Sequence, residues 1–140
     1  MPMGNTTAPV HKKPIEYTVE TKKPFDEAVR AVSESAARHG FRVLHTHDVT
    51  ATLAEKGFHR EPLKIIEICN ARYASEVLAK DVKTSLMLPC PITVYEQGGK
   101  VFLTTLLPEV VASFYPEAGI EALSAEVQRI VVAIVDEAKS

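Results

Sequence analysis

Only two cysteines occur in the 140 residues, and their settings differ from ordinary core positions. Cys69 closes the apolar run "KIIEIC", and Cys90 stands between Pro89 and Pro91 in "LMLPCPITVYEQ". A thiol can act as a nucleophile, a carrier of sulfur or a ligand for soft metals such as Cu(I). The two prolines fix φ on either side of Cys90 and remove two backbone donors, so "LPCP" is a rigid extended lead into a strand. If the strands ending at Cys69 and starting at Cys90 lie antiparallel, the two residues meet at one edge of a sheet. Their α-carbons are then expected within about 10 Å of each other, with Asn70 and Pro89 beside them as further ligand-contacting residues. A soft-metal alternative draws its shell from Cys69, Cys90, Met87 and His59, the last reaching over from the loop "FHREP" beside Glu61. The plainer alternative is cysteine as a small apolar filler at buried strand ends, and the absence of any C-x-x-C spacing favours it.

Other chemistry-bearing residues are weaker candidates. His45 and His47 are two apart and share a strand face, as ligand pairs can, but no third ligand has a matching position, so a solvated pair is expected. Ser33 and Ser35 fall on a helix with no base nearby in sequence. No dinucleotide fingerprint, phosphate loop, nucleophile elbow or zincin motif is present. "QGGK" is followed by a strand rather than a helix, which makes it a turn and not a phosphate cradle.

The elements that position these residues are legible from periodicity. "IEYTVETK" alternates as a half-buried strand. "PFDEAVRAVSESAARHGF" predicts a helix, with Pro24 at its first position, acids in its first turn and Gly40 as a left-handed stop. "FRVLHTH" predicts a second strand, and Asp48 caps a short helix over Val49–Lys56 that ends at Gly57. "LKIIEIC" is a third strand, and Asn70 caps a helix "ARYASEVLAKD". "PITVYEQ" and "KVFLTTL" form a hairpin around Gly98-Gly99. Residues 108–119 read as irregular, with one helical turn in "EVVASF". A long final helix follows, with Ile120, Leu123, Val127, Ile130, Ile134 and Ala138 on one face. Val131, Val132 and Val135 widen that face, which predicts burial on two sides, against the sheet and against a second subunit of a homodimer.

This order predicts one α+β domain over residues 15–140: a curved, mainly antiparallel sheet of order β-α-β-β-β-β-α, two short inserted helices, and the last helix packed on the sheet. Residues 1–14, rich in Pro, Thr and Gly, are expected to be a flexible tail. The apolar fraction is 46%, the charged fraction 24% and the net charge −2. That balance provides no basic field for nucleic acid or an anionic membrane. No apolar run approaches the ~20 residues of a membrane span, and the N-terminus has no signal-like core. A cytoplasmic location follows as the default.

From "ICNARYASEVLAKDVKTSLMLPCPITVYEQGGKV" the chain resembles the domain of unknown function 302 family. That family shows a strand ending in Cys-Asn-Pro, an Ala-rich helix, and Leu-Pro-Cys leading into a strand that ends in an acidic-Gly hairpin. Cys69-Asn70 and Leu88-Pro89-Cys90 match these motifs; Ala71 stands where the family has proline. "PFDEAVRAVSESAARHGFRVL", "AEKG" and the final helix fit as well, so the resemblance runs from about Ile15 to Ala138. It implies a TATA-binding-protein-like fold, a curved antiparallel sheet in the order already read. It implies no reaction and no cofactor. The expected function is that of a binding or accessory protein with a small-molecule site at the Cys69/Cys90 edge. The alternatives are thiol-dependent handling of a soft metal or sulfane sulfur, and an enzyme acting on a small molecule held between sheet and final helix.

Overall fold

The computed structural model describes residues 14–140; the tail expected over 1–14 falls, except for Pro14, outside them. Five strands form one antiparallel sheet: β1 (Glu16–Thr21), β2 (Arg42–Asp48), β3 (Leu63–Cys69), β4 (Cys90–Gln97) and β5 (Lys100–Leu106), arranged β1-β5-β4-β3-β2. The three strands β3, β4 and β5 form a meander, joined through α3 (Ala71–Lys80) and a 3-10 helix (Val82–Met87) and then by the Gly98-Gly99 turn. Both glycines of that turn have positive φ, 62° and 80°, as a two-residue hairpin with strand-matching twist demands. The edges are taken by the first strand, β1, which pairs with β5 at Glu16↔Leu106, and by β2, which pairs with β3.

Alternation along the strands separates two faces. Ile66 and Ile68 of β3, Ile92 and Val94 of β4 and Leu103 of β5 are fully buried on one face. They lie under α1 (Phe25–Arg38) and α5 (Glu121–Lys139), which pack side by side across the sheet. The opposite, outer face carries Thr18, Phe102, Tyr95, Thr93, Ile65, Glu67, His45 and His47, all partly or largely exposed. A β-bulge between Val43 and His45 keeps both histidines on that face and leaves Leu44 half exposed.

Local chemistry explains the element ends. Asp48 accepts the Ala51 N–H and starts α2 (Val49–Ala54). Asn70 accepts the Tyr73 N–H at 3.1 Å and starts α3. Gly40, with φ of 81°, turns the chain out of α1. Pro24 precedes the first helical residue rather than occupying it: with ψ of 158° it is the extended cap, and its carbonyl accepts from Ala28. The irregular stretch before the last helix contains α4 (Pro108–Ala112).

Of the expected stripe Ile120, Val127, Ile134 and Ala138 are buried, joined by Ser124, Val131 and Val135, while Leu123 and Ile130 sit on the flank, half covered. The widened apolar face is therefore used within the chain. Val131 and Val135 are fully buried between the sheet and α1, so neither meets a second subunit. The first strand is fastened to the same helix: the Tyr17 hydroxyl donates to Asp136 at 2.6 Å, and Thr21 and Lys23 donate to the carbonyls of Lys139 and Ala138. Among the described residues no helix is long and apolar enough to cross a membrane.

Candidate functional site

At the end of the sheet where β3 stops and β4 starts, neither α1 nor α5 alone covers the strands. The cover is assembled from α3, the 3-10 helix, α4 and the N-terminal half of α5. Three small residues from three of these helices, Ala74, Ala112 and Ser124, line the same space. Small side chains at facing positions leave volume that interiors otherwise fill. The result is a cavity of about 90 Å³. A single water needs roughly 10–15 Å³, so there is room for a small organic molecule. Its floor is Ile68 and Cys90; its walls include Val77, Met87, Val111 and Val127. Nearly all the lining is carbon.

The register fixes where the cysteines stand. Cys90 lies opposite Ile68, so Cys69, one residue on, is its diagonal neighbour. Opposed α-carbons in an antiparallel pair are about 5 Å apart and a strand step is about 3.3 Å, which separates the two cysteine α-carbons by roughly 6 Å. Both residues line the cavity and both are free thiols. Alternation directs Cys90 inward with Ile68, and Cys69, paired with Arg42, toward the other side of the pleat. Burial, with a smaller contribution from Cys69 nearby, pushes the Cys90 thiol up to about 11. Burial also raises Cys69. Neither thiol is the thiolate that nucleophilic attack or metal binding requires at neutral pH.

The other expected site residues divide. Met87 is in the cavity wall. Asn70 touches the cavity, yet both ends of its amide are committed: the oxygen caps α3 and the nitrogen donates to the Gly40 carbonyl at 3.0 Å. Pro89 does not line the cavity; its neighbours Leu88 and Pro91 do, and the Leu88–Pro89 bond is cis. Pro91 has no N–H to give the ladder, while its carbonyl accepts from the Thr105 hydroxyl at 2.9 Å. His59 does not approach the cysteines. It precedes Leu63, at the far end of the seven-residue strand β3 from Cys69, about 20 Å away. The loop before Leu63 is tied instead to the hairpin end, where Pro62 accepts from Glu96 and Glu61 from Gly98. A shell of Cys69, Cys90, Met87 and His59 is therefore not assembled, and among the described residues no group of three His, Cys, Asp or Glu side chains could hold a metal ion. His45 and His47 are exposed on the outer face, His47 beside Glu67 at 3.1 Å.

Ser35 is fully buried and donates to the Ile134 carbonyl and to Glu137, so it joins α1 to α5 rather than facing a substrate. Sequence reasoning did not place Tyr73 at the site. Tyr73 stacks on Phe41 with ring centroids 6.3 Å apart and donates its hydroxyl to Glu126 at 2.5 Å. Arg72 lies over its ring at 4.4 Å and bonds Glu76. The hydrogen bond to Glu126 raises the Tyr73 phenol, which keeps it protonated. The available signal was the apolar side of α3, where Tyr73 and Val77 recur at helical spacing on a helix too far out to be needed by the sheet.

The match to known proteins rests on this same frame. A family model described as "Domain of unknown function DUF302" matches residues 17–138. The chain belongs to the DUF302 family. It is also similar to a solved structure, the uncharacterized conserved protein DUF302 from Bacillus stearothermophilus, at 27% identity and a TM-score of 0.84. That likeness covers 89% of this chain and 98% of the other. A comparison with curated proteins gave no match. The matched region of this DUF302 chain contains every strand and helix around the cavity.

Proposed function

We propose that this DUF302 protein is a binding protein that holds a small apolar molecule between the end of its sheet and α5. One observation carries the reading: the 90 Å³ cavity is walled almost wholly by carbon, and its polar groups are already engaged or few. Apolar cavities of this kind stay dry and accept apolar guests, since water finds no partners inside. The approach is apolar too. Val82 and Leu86 of the 3-10 helix and Phe114 beyond α4 are 69%, 81% and 61% exposed on the two segments that close the cavity. Cys90 contributes a protonated, polarizable wall rather than a nucleophile. Two neighbouring thiols left unbridged fit a reducing compartment, and we read the protein as cytoplasmic on that ground.

Thermal shift with indole and with short aliphatic alcohols tests the reading. Wild type is expected to melt a few degrees higher at saturating ligand, as mass action requires of a guest that binds only the folded state. Ala74→Leu, which fills the space with a good helix former, is expected to fold and to lose the shift. Equal shifts in both proteins, or none in wild type, would overturn it.

A further inference from the structure

The outer face of the sheet is uncovered by any described element except α2 at one end, although half-exposed apolar groups run across its centre. Tyr95 and Phe102 stack there with centroids 5.4 Å apart, flanked by Leu63, Ile65, Thr93 and Thr104. Charge lies mainly toward the edges, with Lys100 of β5 and Glu67 of β3 the exceptions. On edge strand β1 the outward positions are Glu16, Thr18 and Glu20. On the opposite edge, β2 turns Arg42, His45 and His47 outward. Glu67 lies inside this basic edge and pairs with His47.

We propose that two copies of this chain pack outer face to outer face about a two-fold axis parallel to the strands. Such an axis reverses the strand order, laying β1 over β2 of the second copy, β5 over β3 and β4 over β4. Position along the strands is kept. Glu16 then falls opposite His45 of the second copy and one two-residue repeat, about 7 Å, from Arg42, and Thr18 falls opposite His47 with Glu20 one repeat beyond. Tyr95 meets its own counterpart near the axis, and Phe102 meets Leu63. The alternative axis, across the strands, lays β1 on β1 and β2 on β2, opposing acid to acid and base to base. The charge pattern therefore selects one arrangement, as complementary interfaces do, and it is self-complementary as a two-fold contact requires. The face measures roughly 20 Å by 24 Å from strand rise and spacing. That is below the ~800 Å² per partner of a standard interface, which makes the dimer weak and salt-sensitive.

Sedimentation equilibrium over a dilution series tests the arrangement. Wild type is expected to reach twice the chain mass at high concentration and to dissociate as salt rises. Phe102→Asp places a charge on the half-exposed centre and is expected to weaken association by about tenfold or more with an unchanged circular dichroism spectrum. The substitutions Glu16→Arg and His45→Glu, remote from the core, are each expected to weaken it, and the double variant to restore it. Within one chain those two residues lie four strand spacings apart, about 19 Å, beyond a Debye length, so restoration can only act between copies. A wild type that stays monomeric overturns the proposal and leaves the face to a different protein. Single substitutions at Glu16 and His45 without effect, or a double variant that is not restored, overturn it as well.

Discussion

The two halves of α5 meet the rest of the chain differently. Its C-terminal half inserts Val131, Ile134, Val135 and Ala138 between α1 and the sheet, with nothing left exposed. Its N-terminal half, through Leu123, Ser124 and Val127, borders the cavity. Composition contributes, since the N-terminal half carries Glu121, Ser124, Glu126, Gln128 and Arg129 while the C-terminal half holds the apolar run Ile130–Val135. The partner contributes as well. A fourteen-residue helix lies along the C-terminal half, whereas shorter pieces with alanines at the contact points lie along the N-terminal half. Packing density in this fold is set by the length and side-chain size of what covers a strand end.

The largest test of that contrast is Ile134→Ala. Removing a fully buried side chain from the dense half should cost about 2–5 kcal/mol, read from urea unfolding. A loss below half a kilocalorie would put this half on the same footing as the cavity. Next comes pH. The unfolded Cys90 thiol releases its proton near 9.0, while the folded one holds it to about 11. The folded state thus keeps a proton that the unfolded chain gives up, and stability present below 9.0 is lost as pH rises toward 11. Two pH units of separation correspond to about 2–3 kcal/mol. Cys90→Ala should flatten that part of the alkaline profile; an unchanged slope would mean the thiol is in contact with bulk water. The smallest effect is expected from Leu123→Ala, about 1 kcal/mol, because the flank it leaves is already half open and borders existing space. A cost equal to that of Ile134→Ala would show the two halves of the helix to be equally tight.

The parts of this molecule that were legible beforehand are those fixed by local chemistry. The Gly98-Gly99 hairpin, the Asp48 and Asn70 caps and the apolar strand ending at Cys69 depend on residues within a few positions of each other. So does the neighbourhood of Cys69 and Cys90, once two consecutive strands are antiparallel. What was not legible depends on distant partners. Nothing near His59 says that its loop packs toward the β4–β5 turn, which sets it at the wrong end of β3. Nothing in α5 says which of two adjacent apolar rows faces inward, and Ile130 lost to Val131 through the position of α1. The cavity itself came from Ala74, Ala112 and Ser124, three unremarkable residues on three separate helices. The expectation that Val131 and Val135 serve an outside contact drew on the same helix and failed for the same reason: both have a neighbour inside their own chain.

The pairing of β1 with β5 carries a kinetic consequence. Glu16 meets Leu106 only after most of the chain lying between them has been brought round, and the hydroxyl of Tyr17 must then find Asp136. The entropy of closing a loop grows with its length, and contacts of high sequence separation slow folding. The β4–β5 hairpin closes across two residues, and β2 and β3 are joined through α2, so the first strand is expected to dock last. In pulse-labelled hydrogen exchange during refolding, the amides of Tyr17 to Thr21 should gain protection after those of Ile92 to Leu103. Simultaneous protection would mean that the outermost strand is recruited from the start.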